Sequence, residues 1–191
     1  MGRPRGTRQD IIRPTELKLF MKMACHNPRH LYLMCWLYAF GKRISETISL
    51  DREDVTFDDD YVYARFNILK IKPESGIKIR RVKQLSRDHW LASWLVDHIS
   101  SVEQGYLFPS RAESGHLTRQ GANYILQKYD SDIWCHLFRH SLAVLMAEHG
   151  ANILELMAWF DWKEEKTAIH YVRTYGKAME ILSKKMGTRE F

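Results

Sequence analysis

The sequence predicts a mainly α-helical protein with a small antiparallel β-sheet, an α+β fold. Apolar residues recur at helical spacing along most of the 191 residues, and residues that cap or stop helices lie at the ends of these stretches. Between residues 61 and 85 the pattern instead alternates and is rich in β-branched and aromatic residues, which is typical of strands. The length and the 45% hydrophobic share fit one well-packed domain.

The first part of the chain is predicted to hold a flexible arm and three helices. The arm, residues 1–13, is polar and basic. Thr15 is the expected N-cap of the first helix, Gly41 stops the second, and Arg43 lies between the second and the third. The second helix is apolar nearly all round, which predicts that it is buried. The helices are expected over residues 14–26, 31–40 and 44–50.

A β-hairpin is predicted in the middle of the chain. Residues 61–66 and 77–82 alternate as strands do, and they flank residues 72–76, which form a turn by composition. A further short strand is expected near residues 68–71.

The rest of the chain is predicted to be helical. Ser86 and Thr118 are expected N-caps, and Asn152 with Glu155 forms a capping box. Gly150 and Gly176 end helices. The helices are expected over residues 86–101, 118–129, 133–149, 152–160, 163–174 and 178–186.

The chain is basic. It carries 29 Lys and Arg residues against 23 Asp and Glu residues, a formal net charge of +6. This balance suits a polyanionic partner, because each phosphate that a protein neutralises releases condensed counterions. Charge alone fits an ordinary basic protein as well.

The N-terminal residues and the cysteines indicate an intracellular protein. The start, MGRPRGTRQD, has no apolar signal-peptide region behind it, and no stretch approaches the length of a membrane span. Cys25, Cys35 and Cys135 are isolated among apolar residues, without metal-finger spacing. We therefore expect reduced core cysteines, with neither a disulfide framework nor a zinc knuckle.

Five side chains far apart in sequence together suit chemistry on a phosphodiester: Arg43, His136, Arg139, Trp162 and Tyr171. Two guanidiniums fork onto non-bridging oxygens and stabilise the charge that grows as phosphorus is attacked. An imidazole and an indole N–H add hydrogen bonds, and a tyrosine hydroxyl is a nucleophile. Such a set requires neither a metal nor a cofactor.

In these residues the chain, from about residue 12 to residue 175, resembles the catalytic domain of the tyrosine recombinases, the phage integrase family. The family pattern is an Arg in a G-x-R-x-S-E run, a hairpin Lys, an H-x-x-R-H run, a His or Trp, and a Tyr nine residues on. Here it reads GKRISE around Arg43, HLFRH from His136 to His140, Trp162 and Tyr171. Residues 14–176 would be the catalytic domain.

The resemblance implies cleavage and rejoining of double-stranded DNA through a 3′-phosphotyrosyl intermediate, with Tyr171 as nucleophile. It further implies that the protein acts as a homo-oligomer, a tetramer that synapses two duplexes, in the nucleoid-associated cytoplasm of a prokaryote or its virus or plasmid. The segment 177–191 would dock on a neighbouring protomer, although a self-packed helix fits it equally. Neither a small-molecule cofactor nor a membrane is expected.

The family lysine is assigned to Lys72, where the first hairpin strand ends, as the acid that protonates the leaving 5′ oxygen. Lys70 and Lys78 are the competing candidates, because the turn is longer than the usual Gly-Lys-Gly form. We expect Arg3, Arg5 and Arg8 of the arm to contact phosphates.

The sequence departs from the family in two places. Phe160-Asp161-Trp162 stands where relatives often have Leu-Gly-His, and activity is expected to survive because Trp replaces His in some members. About a dozen residues precede the catalytic pattern, without the separate DNA-clamping domain of many relatives. The chain is therefore expected to be a short member or an excised catalytic domain.

Other interpretations of these residues stay open. His136 and His140 have metal-ligand spacing, but the metalloprotease form needs Glu at 137, which is Leu, and there is no evident third ligand, so no metal is expected. Instead, His140 and Glu46 are expected to support the site through hydrogen bonds. Tyr175 lies one helical turn after Tyr171 and competes with it as nucleophile.

Two other functions also fit the sequence. A type IB topoisomerase-like enzyme would relax supercoiled plasmid without forming recombinants. A non-catalytic DNA-binding relative would keep the fold but need no nucleophile.

Overall fold

The computed structural model describes residues 11–68, 79–177 and Ser183. The chain divides into two compact units, one ending at Arg139 and the other beginning at His140. The strands β1 to β3 are Val55–Phe57, Tyr61–Asn67 and Arg80–Ser86. The helices α1 to α8 are Pro14–Met23, Pro28–Phe40, Ile44–Ile48, Ala92–Ser101, Arg119–Gln127, Cys135–Glu148, Ile153–Phe160 and Glu165–Tyr175. The predicted fold class, mostly helical with a small antiparallel sheet, is confirmed.

The first helices of the first unit begin at prolines. Arg13 is the N-cap of α1, so the prediction that Thr15 caps it is wrong. The fixed φ of Pro14 is already helical, and its missing N–H needs no partner there. α2 likewise begins earlier than predicted, at Pro28, after the N-cap Asn27. α3 is shorter than predicted and ends at Ile48.

Helix α2 lies at the centre of the first unit. Every residue from Leu33 to Phe40 is buried, as its all-round apolar pattern predicts. Trp36 and Phe40 stack at 5.4 Å between ring centroids, and Phe40 lies 5.4 Å from Phe66 of β2. Trp36 also donates its indole N–H to Nδ1 of His98 in α4, at 3.0 Å. The helix therefore ties the sheet and α4 to one core.

The three strands form an antiparallel sheet in the order β1-β2-β3. Val62, Ala64 and Phe66 of β2 are buried and alternate with partly exposed residues, as the period of two requires. Tyr61 pairs with Ser86, so Ser86 ends a strand, and the prediction that it caps a helix is wrong. β1 was not predicted. The predicted turn, 72–76, and residues 69–71 of the predicted extra strand lie outside the described residues.

The second unit contains α7, α8 and the part of α6 from His140 onward. The capping box is as predicted: the backbone N–H of Glu155 donates to the Asn152 side chain at 2.9 Å, and that of Asn152 to the Glu155 carboxylate at 2.8 Å. Asp161, with φ of 53°, closes α7 in the left-handed conformation. The core of the second unit contains Ala143, Ala147, Leu156, Phe160 and Ala168. The predicted helix 178–186 falls outside the residues described, apart from Ser183.

Cys35 and Cys135 are buried as predicted, whereas Cys25 is exposed, so its assignment to the core is wrong. Cys25 comes one residue after the C-cap of α1, where the chain turns away from the core. Burial raises the pKa of both buried thiols to about 12, so they stay protonated at neutral pH.

Among the helices of the described residues, none has the length and apolarity needed to cross a membrane.

Candidate active site

The predicted site residues fall into three groups. Arg43, Glu46, His136 and Arg139 belong to the first unit, and His140, Trp162 and Tyr171 to the second. The third group lies outside the described residues and consists of Lys72, Arg3, Arg5 and Arg8.

Arg43 is held by a buried carboxylate. It occupies the N-cap of α3, where its backbone N–H donates to Oε2 of Glu46 at 3.1 Å. Its guanidinium donates from Nη1 to Oε1 of the same residue at 2.8 Å. The Glu46 side chain is 1% exposed and that of Arg43 28%. A fixed, hydrogen-bonded carboxylate therefore restricts the rotamers of a guanidinium that keeps access to solvent.

Arg139 is buried and is bonded to the chain just before Arg43. Its Nη1 donates to the backbone oxygen of Gly41 at 3.0 Å. Gly41 adopts φ of 57°, the left-handed conformation that ends α2, as predicted. The turn 41–43 therefore carries Arg43 and also binds Arg139. This is how the sequence brings two guanidiniums from distant parts of the chain to one turn.

Lys42 is a residue that the sequence reasoning missed. It is 1% exposed, and its Nζ lies 5.7 Å from the centroid of the Phe66 ring. An ammonium over an aromatic face is attracted by the ring quadrupole. Lys42 thus places a third basic side chain at the turn 41–43, beside those of Arg43 and Arg139. The signal in the sequence was two consecutive basic residues directly after a buried helix.

Ion pairs link β2 and β3 toward the end at which Asn67 pairs with Arg80. Oδ1 of the buried Asp54 accepts from Nε of Arg65 on β2 at 3.0 Å and from Nη1 of Arg80 on β3 at 3.3 Å. One carboxylate therefore ties both strands together next to the segment that contains Lys72. Both arginine side chains are more than 40% exposed, so solvent screens these pairs and their contribution to stability is small.

Tyr171 has a defined environment in the second unit. Its hydroxyl lies 2.9 Å from Nδ1 of His140. Its ring stacks on that of Trp162, with 5.3 Å between centroids and an interplanar angle of 12°. Trp162 stacks in turn on the buried Phe160 at 4.8 Å. The phenol is therefore oriented by a hydrogen bond at one end and by a packed indole along its face.

His140 and Tyr175 complete this aromatic group. Burial lowers the pKa of His140, and the nearby His170 lowers it further, so the imidazole is neutral at neutral pH. Tyr175 lies 6.2 Å from Tyr171 and 6.3 Å from His140 between ring centroids. His140 contacts the hydroxyl of Tyr171 at hydrogen-bond distance, and this contact distinguishes Tyr171 from Tyr175 as the candidate nucleophile.

His136 is exposed in the first turn of α6, and its role stays a prediction. Within residues 11–68 and 79–177, there is no group of three or more His, Cys, Asp or Glu side chains that could hold a metal ion.

Comparison with known sequences identifies relatives. The model of the phage integrase family matches residues 10–177. A tyrosine recombinase of Pseudothermotoga lettingae is 29% identical over 153 residues, which are 75% of this chain and 49% of the relative. The tyrosine recombinase XerD of Rickettsia prowazekii is 31% identical over 130 residues, 61% of this chain and 42% of the relative. The chain thus spans about half the length of these relatives, or less.

Solved structures share the fold. XerA recombinase superposes with a TM-score of 0.64 at 17% identity, over 94% of this chain and 66% of that one. The catalytic domain of bacteriophage HP1 integrase gives 0.62 at 17% identity, over 92% of this chain and 93% of that one. These identities show the fold alone, but the family model covers most of the chain. The chain therefore belongs to the phage integrase family and has the fold of a tyrosine recombinase catalytic domain.

Proposed function

We propose that the chain is a site-specific DNA recombinase, which cleaves and rejoins double-stranded DNA through a 3′-phosphotyrosyl intermediate. The observation that carries this proposal is the environment of Tyr171: an oriented phenol, at the family position, in a chain of the phage integrase family. Two structural relatives support DNA as the partner. XerH is bound to palindromic difH substrate in a post-cleavage complex, and the Tn1549 integrase is in complex with circular intermediate DNA.

In the proposed reaction the Tyr171 oxygen attacks phosphorus, and the 5′ oxygen of the DNA leaves. Arg43 and Arg139, with His136 and Trp162, stabilise the pentacoordinate phosphate. The orientation of Arg43 by Glu46 and of Arg139 by Gly41 supports this role, because donors fixed before reaction cost no reorganisation during it. Since the phosphotyrosyl ester conserves the energy of the cleaved bond, rejoining needs no ATP.

Lys72 is proposed as the acid that protonates the leaving 5′ oxygen. A 5′-bridging phosphorothioate supplies a leaving group that needs no protonation. Lys72→Ala should therefore cleave ordinary DNA about 10²–10⁴-fold more slowly than the wild type and recover most of that loss on the sulfur substrate. Matched variants, Lys70→Ala and Lys78→Ala, should show no such recovery. If one of these two variants were instead slow on ordinary DNA and recovered its cleavage rate on the sulfur substrate, that lysine would be the acid.

The arm and the tail complete the proposal. Arg3, Arg5 and Arg8 would each contribute about −0.9 to the slope of log affinity against log salt if each contacts a phosphate. Deleting residues 1–10 should flatten that slope without slowing cleavage of bound DNA. Residues 177–191 would join protomers in a tetramer. Their deletion should leave cleavage of single sites intact and abolish synapsis, measured by cross-linking on DNA.

The test of the function is covalent capture of DNA. A pool of nicked duplexes with a randomised core is incubated with the protein in excess EDTA, and complexes that survive SDS are amplified and sequenced. We expect enrichment of one site by the wild type and none by Tyr171→Phe. Tyr175→Phe, the control one helical turn away, should enrich the same site as the wild type. The absence of covalent complexes under EDTA, with their appearance on addition of magnesium, would contradict the proposed chemistry.

A further inference from the structure

The contact between His140 and Tyr171 leads to an inference about where the phenolic proton goes. The roles proposed so far stabilise the phosphate and protonate the leaving group, and none of them activates the nucleophile. A tyrosine hydroxyl has an ordinary pKa near 10, so at neutral pH its proton must be removed during attack. Nδ1 of His140 lies 2.9 Å from that oxygen, within the range in which a base takes a proton directly.

We propose that His140 is a catalytic residue that orients the Tyr171 hydroxyl and accepts its proton as the oxygen attacks phosphorus. This inference rests on the proposed function. In the cleavage step the tyrosine O–H bond breaks and its proton goes to Nδ1. The O–P bond forms, and the bond from phosphorus to the 5′ oxygen breaks, that oxygen taking its proton from the separate acid, Lys72. In rejoining, the 5′ hydroxyl gives its proton to the now neutral Lys72 as its oxygen attacks phosphorus. The bond from phosphorus to the Tyr171 oxygen breaks, and His140 returns the proton to that oxygen.

The environment of His140 suits a proton acceptor. A neutral imidazole has one acceptor nitrogen, and in the proposed role this nitrogen is Nδ1, which contacts the hydroxyl. The ring is half-buried, and burial together with His170 lowers its pKa from the ordinary value, which favours the neutral form that has an acceptor nitrogen. In the described part of the second unit, the titratable groups that face it come from α8: His170, Tyr171 and Tyr175.

Aromatic packing holds the side chains of His140 and Tyr171 in position. The ring centroids of His140 and Tyr171 are 5.5 Å apart, and Trp162 covers one face of the phenol. His140 is also adjacent in sequence to Arg139, whose guanidinium is fixed by Gly41. The order R-H in the HLFRH run thus places a phosphate ligand and a proton acceptor on consecutive residues of α6.

The first test separates proton transfer from simple orientation. In His140→Asn the side-chain oxygen takes roughly the position of Nδ1 and still accepts the hydroxyl, but it does not take up the proton. We expect single-turnover cleavage to slow by about 10²–10⁴-fold, with unchanged DNA affinity and thermal unfolding temperature. His149→Asn, which removes an exposed histidine directly after α6, should cleave at the wild-type rate. Cleavage by His140→Asn at the wild-type rate would overturn the proposal.

The second test uses a more acidic nucleophile. Fluorinated tyrosine at position 171 lowers the phenol pKa, so less help from a base is needed. It should restore most of the rate lost in His140→Asn, whereas a purely orienting histidine would give no restoration. If fluorinated tyrosine restored the cleavage rate of His136→Asn but not that of His140→Asn, the base would be His136, and the inference would be overturned. If the wild type itself forms no covalent complex, the proposed function fails rather than this inference.

Discussion

The two units of the molecule hold their candidate functional side chains by different means. In the first unit, polar contacts fix Arg43 and Arg139: a carboxylate that is 1% exposed and a backbone oxygen of a helix-ending turn. In the second unit, Tyr171 is held by the faces of aromatic rings and by one hydrogen bond to His140. The cores differ as well. The first unit buries large aromatic residues such as Trp36 and Phe40, whereas the described core of the second consists of Ala143, Ala147 and Ala168 with Leu156 and Phe160.

This difference fits the two tasks proposed for these side chains. Phosphate ligands must be rigid before the reaction, because preorganised charges stabilise a transition state most effectively. A nucleophile must move toward phosphorus and form a bond, which a small core and stacked rings permit more readily than the polar contacts that fix the two arginines. We therefore expect the second unit to be the less stable of the two.

The largest predicted effect concerns the core of the second unit. Phe160 is fully buried and supports Trp162, so Phe160→Ala should cost about 3–5 kcal/mol of unfolding free energy. We expect amide hydrogen exchange to accelerate in α7 and α8, while the amides of α2 keep their protection. Phe40→Ala is the matched change in the first unit. An equal loss of protection in both units of the Phe160→Ala variant would show that they unfold together.

The next effect concerns Arg139. Arg139→Ala should slow covalent complex formation by about 10²–10³-fold, the loss typical when one oxyanion donor is removed. It should also lower stability by about 1–3 kcal/mol, because the Gly41 carbonyl then loses its guanidinium partner. Arg43→Ala should lose similar activity and should also lower stability, because the Glu46 carboxylate, which is 1% exposed, then loses its guanidinium partner. Denaturant titration of both variants measures these losses, and a variant as stable as the wild type would contradict the account for that arginine.

A pH effect is expected from the first unit. Burial lowers the pKa of His98 from 6.5 to about 4 in the folded protein, so the unfolded chain binds a proton more readily. The stability that this neutral histidine contributes is fully present above pH 6.5 and is lost as the pH falls toward 4. The loss over that window is about 3 kcal/mol. Denaturant titrations between pH 4 and 6.5 should show the free energy of unfolding falling as the pH falls. In His98→Gln this dependence on pH should be weaker. An unchanged slope in the variant would assign the effect to other groups.

The smallest predicted effect concerns the start of α7. Asn152→Ala removes the side chain that accepts from the Glu155 N–H and should cost about 1 kcal/mol. Thr118→Ala at the start of α5 is the counterpart in the first unit, where Thr118 accepts from the Gly121 N–H at 3.0 Å. Hydrogen exchange should show local fraying of the affected helix in each variant. An undiminished protection of α7 in Asn152→Ala would mean that packing, not the cap, fixes its start.

The sequence predicted those features that local chemistry decides. Gly41 ends α2, Thr118 caps α5, and Asn152 with Glu155 starts α7, because each of these motifs depends on residues within a few positions. Ser86 was assigned to a helix although it belongs to β3. Its conformation is set by pairing with Tyr61, 25 residues earlier, and no local rule contains that information.

The candidate site shows the same division. In the sequence, the residue types and their spacing indicated Arg43, Arg139 and Tyr171 as candidate site residues. The support of Arg43 by Glu46 is local, three residues along the chain, whereas the other supporting contacts join distant residues. Lys42 was missed because a lysine in a basic chain is ordinarily exposed, whereas here its ammonium lies over the Phe66 ring. Likewise, the contact of His140 with Tyr171 spans 31 positions and becomes visible only in the folded unit.

The central claim, that Tyr171 forms the covalent bond to DNA, is tested most directly by locating the adduct. The wild-type protein is trapped on the selected nicked duplex, digested with nuclease and protease, and the nucleotide-bearing peptide is sequenced by mass spectrometry. We predict a phosphodiester on the Tyr171 oxygen, joined to the 3′ end of the cleaved strand. An adduct on Tyr175, on a serine, or through the 5′ end of the strand would contradict the claim.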